Sequence, residues 1–118
     1  MAIPSGSGTE VLKVSAEKDN TGWMTCISGV ANHIYIILNF SICDANDNEL
    51  TTGFQVKLDG NGAGMASDEV YLYQNVFVPS KGTFIHNDRI IMSGTTDFKI
   101  KTFENAHLIV NYIDQDWT

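Results

Sequence analysis

The sequence predicts an all-β protein, an antiparallel β-sandwich of jelly-roll-like order with about eight strands, and three observations predict it. Thr, Asn, Ile, Val, Gly and aromatic residues dominate, while the Ala, Leu, Glu and Lys runs that favour helices are missing. His33 to Cys43 reads with a period of two: Ile34, Ile36, Leu38, Phe40 and Ile42 share one face, and the other carries Tyr35 and Ile37 before the more polar Asn39 and Ser41. Turn-forming clusters then recur at roughly ten-residue intervals along the chain.

The organising strand is apolar on one face and partly apolar on the other, as expected of a central strand whose second side is partly covered. Uncovered, such a β-branched, uncharged run would be an aggregation site, so neighbouring strands must pair its edges. Residues 1–9 read as an extended Pro/Ser/Gly arm and residues 10–118 as one domain, with no internal repeat. Ser7 and Glu10 have capping-box spacing, but too little chain follows for more than a turn or two of helix. A first strand over Glu10 to Ala16, with Leu12, Val14 and Ala16 on one side, is preferred.

Asp19 to Gly22 reads as a turn, Trp23 to Ile27 as a second strand and Ser28-Gly29 as a break before the organising strand. Asp44 to Glu49 has the side chains of a hairpin loop, after which Gly53 to Asp59 alternates Phe54, Val56 and Leu58 with Gln55 and Lys57. Gly60 to Gly64 is a flexible tip. Glu69 to Pro79 is a long strand with Tyr71, Tyr73 and Phe77 in one stripe, read either as core or as a contact surface, and Pro79 stops it. Thr83 to His86 and Arg89 to Met92 are two short strands or one bent one. A turn at Ser93 to Thr96, a strand Phe98 to Phe103, a turn at Glu104-Asn105 and a last strand Ala106 to Ile113 complete the fold. Trp117 closes the chain, placed either against its own domain or in a pocket on another molecule.

With 118 residues, 43% of them apolar, the chain can bury roughly two thirds of its unfolded surface in one domain without a disulfide or metal. Its formal charge is −7, and its seven Lys and Arg residues are scattered. Phosphate neutralisation needs clustered cations, so direct binding to nucleic acid or to an anionic membrane is not expected. Residues 1–8 lack the charge and apolar core of a signal peptide, and 21–43, though uncharged, is too interrupted by Gly and Asn for a membrane helix. Cys26 and Cys43 have no CxxC or Cys/His spacing and are read as reduced thiols rather than a disulfide.

No constellation for chemistry emerges. Counted from Asp44, the sixth and twelfth places of a calcium loop hold Glu49 and Gln55 instead of Gly and Glu. His33, His86 and His107 lack metal-ligand spacing, and the His-x-His pair of a cupin is missing. No nucleophile elbow is present, and Gly60 to Gly64 lacks the Lys and the strand-to-helix setting of a phosphate loop. No catalytic residue, cofactor or metal is expected, and the protein reads as a non-enzyme.

Two regions are more specific. Ile3-Pro4-Ser5-Gly6-Ser7-Gly8-Thr9-Glu10-Val11-Leu12-Lys13 near the start, and Asn87-Asp88-Arg89-Ile90-Ile91-Met92 with Val110-Asn111-Tyr112-Ile113-Asp114-Gln115-Asp116-Trp117 near the end, resemble a group of small virion structural proteins of marine tailed bacteriophages. The resemblance implies a β-sandwich subunit on the capsid exterior, a decoration or cement protein docked on the major capsid protein, often as a homotrimer. It places protein contacts at Ile3, Pro4, Val11, Leu12, Tyr112 and Trp117. Val14 departs from the pattern, which has a second basic residue after Lys13. The alternative is a tail-fibre or receptor-binding module that holds a host-surface glycan with loops such as Asp44 to Glu49 or Gly60 to Gly64.

Overall fold

β7 (Asp97–Asp116) is the strand on which the sheet is built. In the computed structural model, which describes residues 9–45, 52–60 and 69–117, six further strands accompany it: β1 (Thr9–Ile27), β2 (His33–Asp44), β3 (Thr52–Asp59), β4 (Glu69–Val78), β5 (Thr83–His86) and β6 (Ile90–Ser93). All pair antiparallel in one seven-stranded sheet of order β4-β3-β7-β2-β5, with β1 on the other edge of β7 and β6 beside β2. The sheet curls into a half-barrel, so one sheet supplies both layers of the sandwich and the all-β, jelly-roll-like fold class holds.

β7 stays continuous because its buried set keeps one parity. Phe98, Ile100, Thr102, Ala106, Leu108 and Val110 are all even-numbered and all face the core. The turn expected at Glu104-Asn105 is therefore a bend within the strand: Thr102 pairs with Phe54 of β3, and Ala106 pairs with Asp44 of β2. The turn expected at Asp19 to Gly22 is likewise absent, and β1 runs through it for 19 residues. Its turn residues make bulges instead. Register shifts flank Asn20 on both sides, Asn20 Nδ2 donates to Thr102 Oγ1 (2.9 Å), and Gly22 takes φ +91°, a left-handed value that glycine adopts without strain. Thr9, counted with the arm in the sequence, already pairs with Asp116.

β2 differs from its expected pattern in phase. Tyr35 and Ile37 are buried, then a bulge at Leu38 shifts the register, and Phe40, Ile42 and Asp44 become the buried set. An extra residue in a strand reverses which face every later side chain occupies. Ile34 and Ile36 therefore point away from the core that Phe40 and Ile42 fill. The stripe expected in β4 is split in the same way. Shifts opposite Val56 and a left-handed Asn75 (φ 54°) leave Tyr73 and Val76 packed on the core, while Tyr71 and Phe77 are exposed.

The core fills the concave side with rings. Phe40 of β2 lies 5.6 Å from Phe98 of β7 and Phe54 of β3 lies 4.8 Å from Phe84 of β5, so these pairs join the two halves of the curled sheet. His86 stacks on Phe40 at 4.9 Å, and its Nδ1 is 2.7 Å from the Tyr73 hydroxyl. Gly29 packs so close to the Ser93–Thr96 turn region that an added Cβ would lie 2.2 Å from the Thr96 carbonyl oxygen.

Phe40 is fully buried and touches both halves of the sheet. Phe40→Ala should cost about 3–5 kcal/mol of unfolding free energy, a transfer loss plus an unfilled cavity. Urea unfolding checks this; a cost below about 1 kcal/mol would show that the rings do not hold the halves together.

Candidate contact surfaces

The core gives way to a polar cap where the ends of β1, β2 and β7 meet. Pairing places His33 of β2 opposite Asp116, Tyr35 opposite Asp114, and Lys13 of β1 opposite Tyr112. Asp114, 6% exposed, accepts a hydrogen bond from Lys13 Nζ at 2.8 Å, and its other oxygen is 2.7 Å from His33 Nδ1. Asp116 lies 3.6 Å from His33 Nε2. Burial, the largest influence, pushes the Asp114 carboxyl up, but the Lys13 and His33 hydrogen bonds outweigh it and hold the group below its ordinary 3.8. The hydrogen bond to Asp114 raises Lys13 above 10.5, and burial raises the Tyr35 and Tyr112 phenols. On the other face of the ribbon, buried Gln115 donates from Nε2 to Glu10 Oε2 at 2.7 Å. These links tie β1 to the sheet through side chains as well as through the ladder.

The contact residues expected from the sequence divide here. Val11 and Leu12 are exposed on β1, a strand that among the described residues pairs on one side only. Tyr112 turns inward, 6.2 Å from Tyr35 and packed against the core. Trp117 is half-buried, with its backbone N–H donating to the Asn32 carbonyl at 2.9 Å and its indole Nε1 buried without a partner, so it folds against its own domain. Ile3 and Pro4 lie outside the described residues, as does most of each loop, Asp44 to Glu49 and Gly60 to Gly64, of which only 44, 45 and 60 are described.

A second surface, of which the sequence reading held only Tyr71 and Phe77, covers the outside of the β1-β7-β3-β4 half. Lys57 is nearly buried beneath Trp23, its Nζ 4.2 Å from the ring centroid, and pairs with Glu69. Lys99 pairs with Asp59 at 2.9 Å, and Lys101 lies 5.1 Å from the Phe103 ring centroid. Trp23, Tyr71, Phe77 and Phe103 all remain exposed around these cations. The sequence held a signal for this: Lys57, Lys99 and Lys101 fall on odd positions of strands whose even positions are apolar.

Among the described residues no group of three or more His, Cys, Asp or Glu side chains could hold a metal ion. The imidazole of His86 is engaged in the aromatic core, that of His33 in the polar cap. Both cysteines are free, and burial pushes the Cys26 thiol up to about 12, which leaves it protonated and unreactive. A cleft of ≈ 340 Å³ between residues 16–18 and 107–109 lies open to solvent. No helix of the described chain is long and apolar enough to cross a membrane.

No protein-family model matches the chain, and no curated protein matches it in sequence. Solved structures do match in shape. A subunit of the disulfide-linked pili that form Bacillus endospore appendages superposes with a TM-score of 0.57 at 6% identity, covering 99% of this chain and 94% of that one. A chain of the acid-stable capsid of Helicobacter pylori bacteriophage KHP30 gives 0.52 at 10% identity, covering 92% and 89%. At these identities the likeness is one of fold.

The Lys13–Asp114 pair gives stability a defined pH dependence. The lowered Asp114 contributes above its ordinary value and loses that contribution as pH falls through its folded value; the raised Lys13 contributes below its ordinary value and loses it as pH rises through its folded value. The stability difference between wild type and Lys13→Met should therefore form a plateau between the two ordinary values. With Lys13 half exposed it should stay under about 1 kcal/mol. It should shrink below pH 3.8 and above pH 10.5. Denaturant melts across pH check this; a difference that grows in acid would contradict the assignment.

Proposed function

We propose that the protein is a non-enzymatic virion structural subunit, a capsid decoration or cement protein that docks on the exterior of a phage head through its major capsid protein. The observation that carries this reading is the edge of β1 that no described strand pairs. There Val11 and Leu12 stand exposed immediately after residues 1–8, on a strand whose far side is fixed to β7 from Thr9 onward. An open strand edge is a template for strand addition or for packing against another chain. Ile3, Pro4, Val11 and Leu12 form the contact in this reading, while Tyr112 and Trp117, turned toward their own domain, brace the strand end behind it. The KHP30 capsid chain supports the reading at the level of fold. The chain's −7 charge suits a basic docking surface, and repetition over a lattice multiplies a modest contact by avidity.

A second reading, a receptor-binding module for host glycan, draws on the outer surface of the other half. Exposed Trp23, Tyr71, Phe77 and Phe103 beside Lys101 offer ring faces of the kind that stack on sugars.

Removing residues 1–8 together with Val11→Asp and Leu12→Asp separates the two. Under decoration, purified heads lacking the protein should bind wild type in many copies and lose at least tenfold in affinity for the variant, while any glycan binding is unchanged. Full occupancy by the variant would contradict the assignment.

A further inference from the structure

The convex face of the β1-β7-β2 half carries a broad apolar field. Leu12, Ile113, Ile36 and Ile91 stand abreast across β1, β7, β2 and β6. A second row, Ala16, Ile109, Ser41 and Ile85, crosses β1, β7, β2 and β5. Between the rows lie Val14 and the pair Asn111 and Asn39, whose side chains hydrogen-bond to each other at 2.8 Å. Leu12 is 70% exposed, Ile91 69%, Ile85 64% and Val14 62%. No Lys, Arg, Asp or Glu stands in these rows, in a chain that carries fourteen acidic and seven basic residues.

The size of this field points beyond a free surface. Three strand spacings of about 4.8 Å and four residues of about 3.4 Å give roughly 14 by 14 Å between backbones, about 400 Å² once the side chains overhang. That lies within the range of the largest apolar patch on a monomer, one that is often functional, and is about half of the ~800 Å² per partner in a stable interface.

Charge decides the occupant. A partner surface bearing charges would have to strip water from them against rows that offer no counter-charge, since the carboxylate beside them on this face, Glu10, is already bonded by Gln115. Two copies of this −7 chain repel wherever their acidic surfaces meet, but these rows carry no formal charge, and the same face of a second copy is equally apolar and equally uncharged. The central Asn pair shares a hydrogen bond, Asn111 Nδ2 donating to Asn39 Oδ1, which lowers its cost of losing water. We propose that a second copy of this chain packs on the convex face, face to face about a two-fold axis. This is an isologous dimer, distinct from the trimer the sequence resemblance implies, and it does not depend on the virion reading.

Sedimentation equilibrium of the full chain at tens of micromolar tests it. The expected result is a species of twice the 13.0 kDa chain mass. Ile91→Lys should raise the dimer dissociation constant at least tenfold while keeping the β-type circular dichroism, because Ile91 is exposed in the single chain. Phe77→Lys, on the outside of the other half, should leave the dimer unchanged. A wild-type monomer or trimer, or an Ile91→Lys protein as dimeric as wild type, would overturn the proposal.

Discussion

Every other strand depends on hydrogen bonding along both edges of β7. β1 pairs with it from Asp116 back to Phe98, while β2 and β3 divide its other edge on either side of the bend at residues 103–105. Because one strand runs through both halves, bending it also closes the sandwich, and no separate second sheet is required. The aromatic core then locks the bend from the concave side, with Phe40 against Phe98 and Phe54 against Phe84. β1 is fixed on one side by this spine, and no described strand pairs its other side.

The arrangement sorts the surface into regions of different chemistry. Where the strand ends meet, charges are paired around Asp114 and hold β1 to its neighbours. Outside the β3-β4 half, cations are sheltered under rings and against carboxylates. Over the convex face of the other half the rows are apolar and uncharged.

Much of this was legible in the sequence, and the failures share one cause. Alternation located β2, β3, β4 and the two short strands closely, because period two is a local property. Asp19 to Gly22 and Glu104-Asn105 have turn composition but sit inside strands, since Asn20 and Gly22 serve a bulge and the even-numbered burial of β7 continues across its bend. The bulge at Leu38 was hidden because both faces of β2 are apolar ahead of it, so no polarity marks the change of phase. That reversal is what turns Ile34 and Ile36 outward. Contact sites depend on long-range placement: Val11 and Leu12 are exposed, while Tyr112 and Trp117 pack against their own domain.

Native-state amide hydrogen exchange on the dilute protein tests the spine most directly. The account predicts that amides in both halves of β7 are the slowest in the molecule and exchange together at the global unfolding free energy, with the outward amides of β1 much faster. Separate exchange levels for residues 98–102 and 106–113, or a β1 edge as protected as β7, would contradict it.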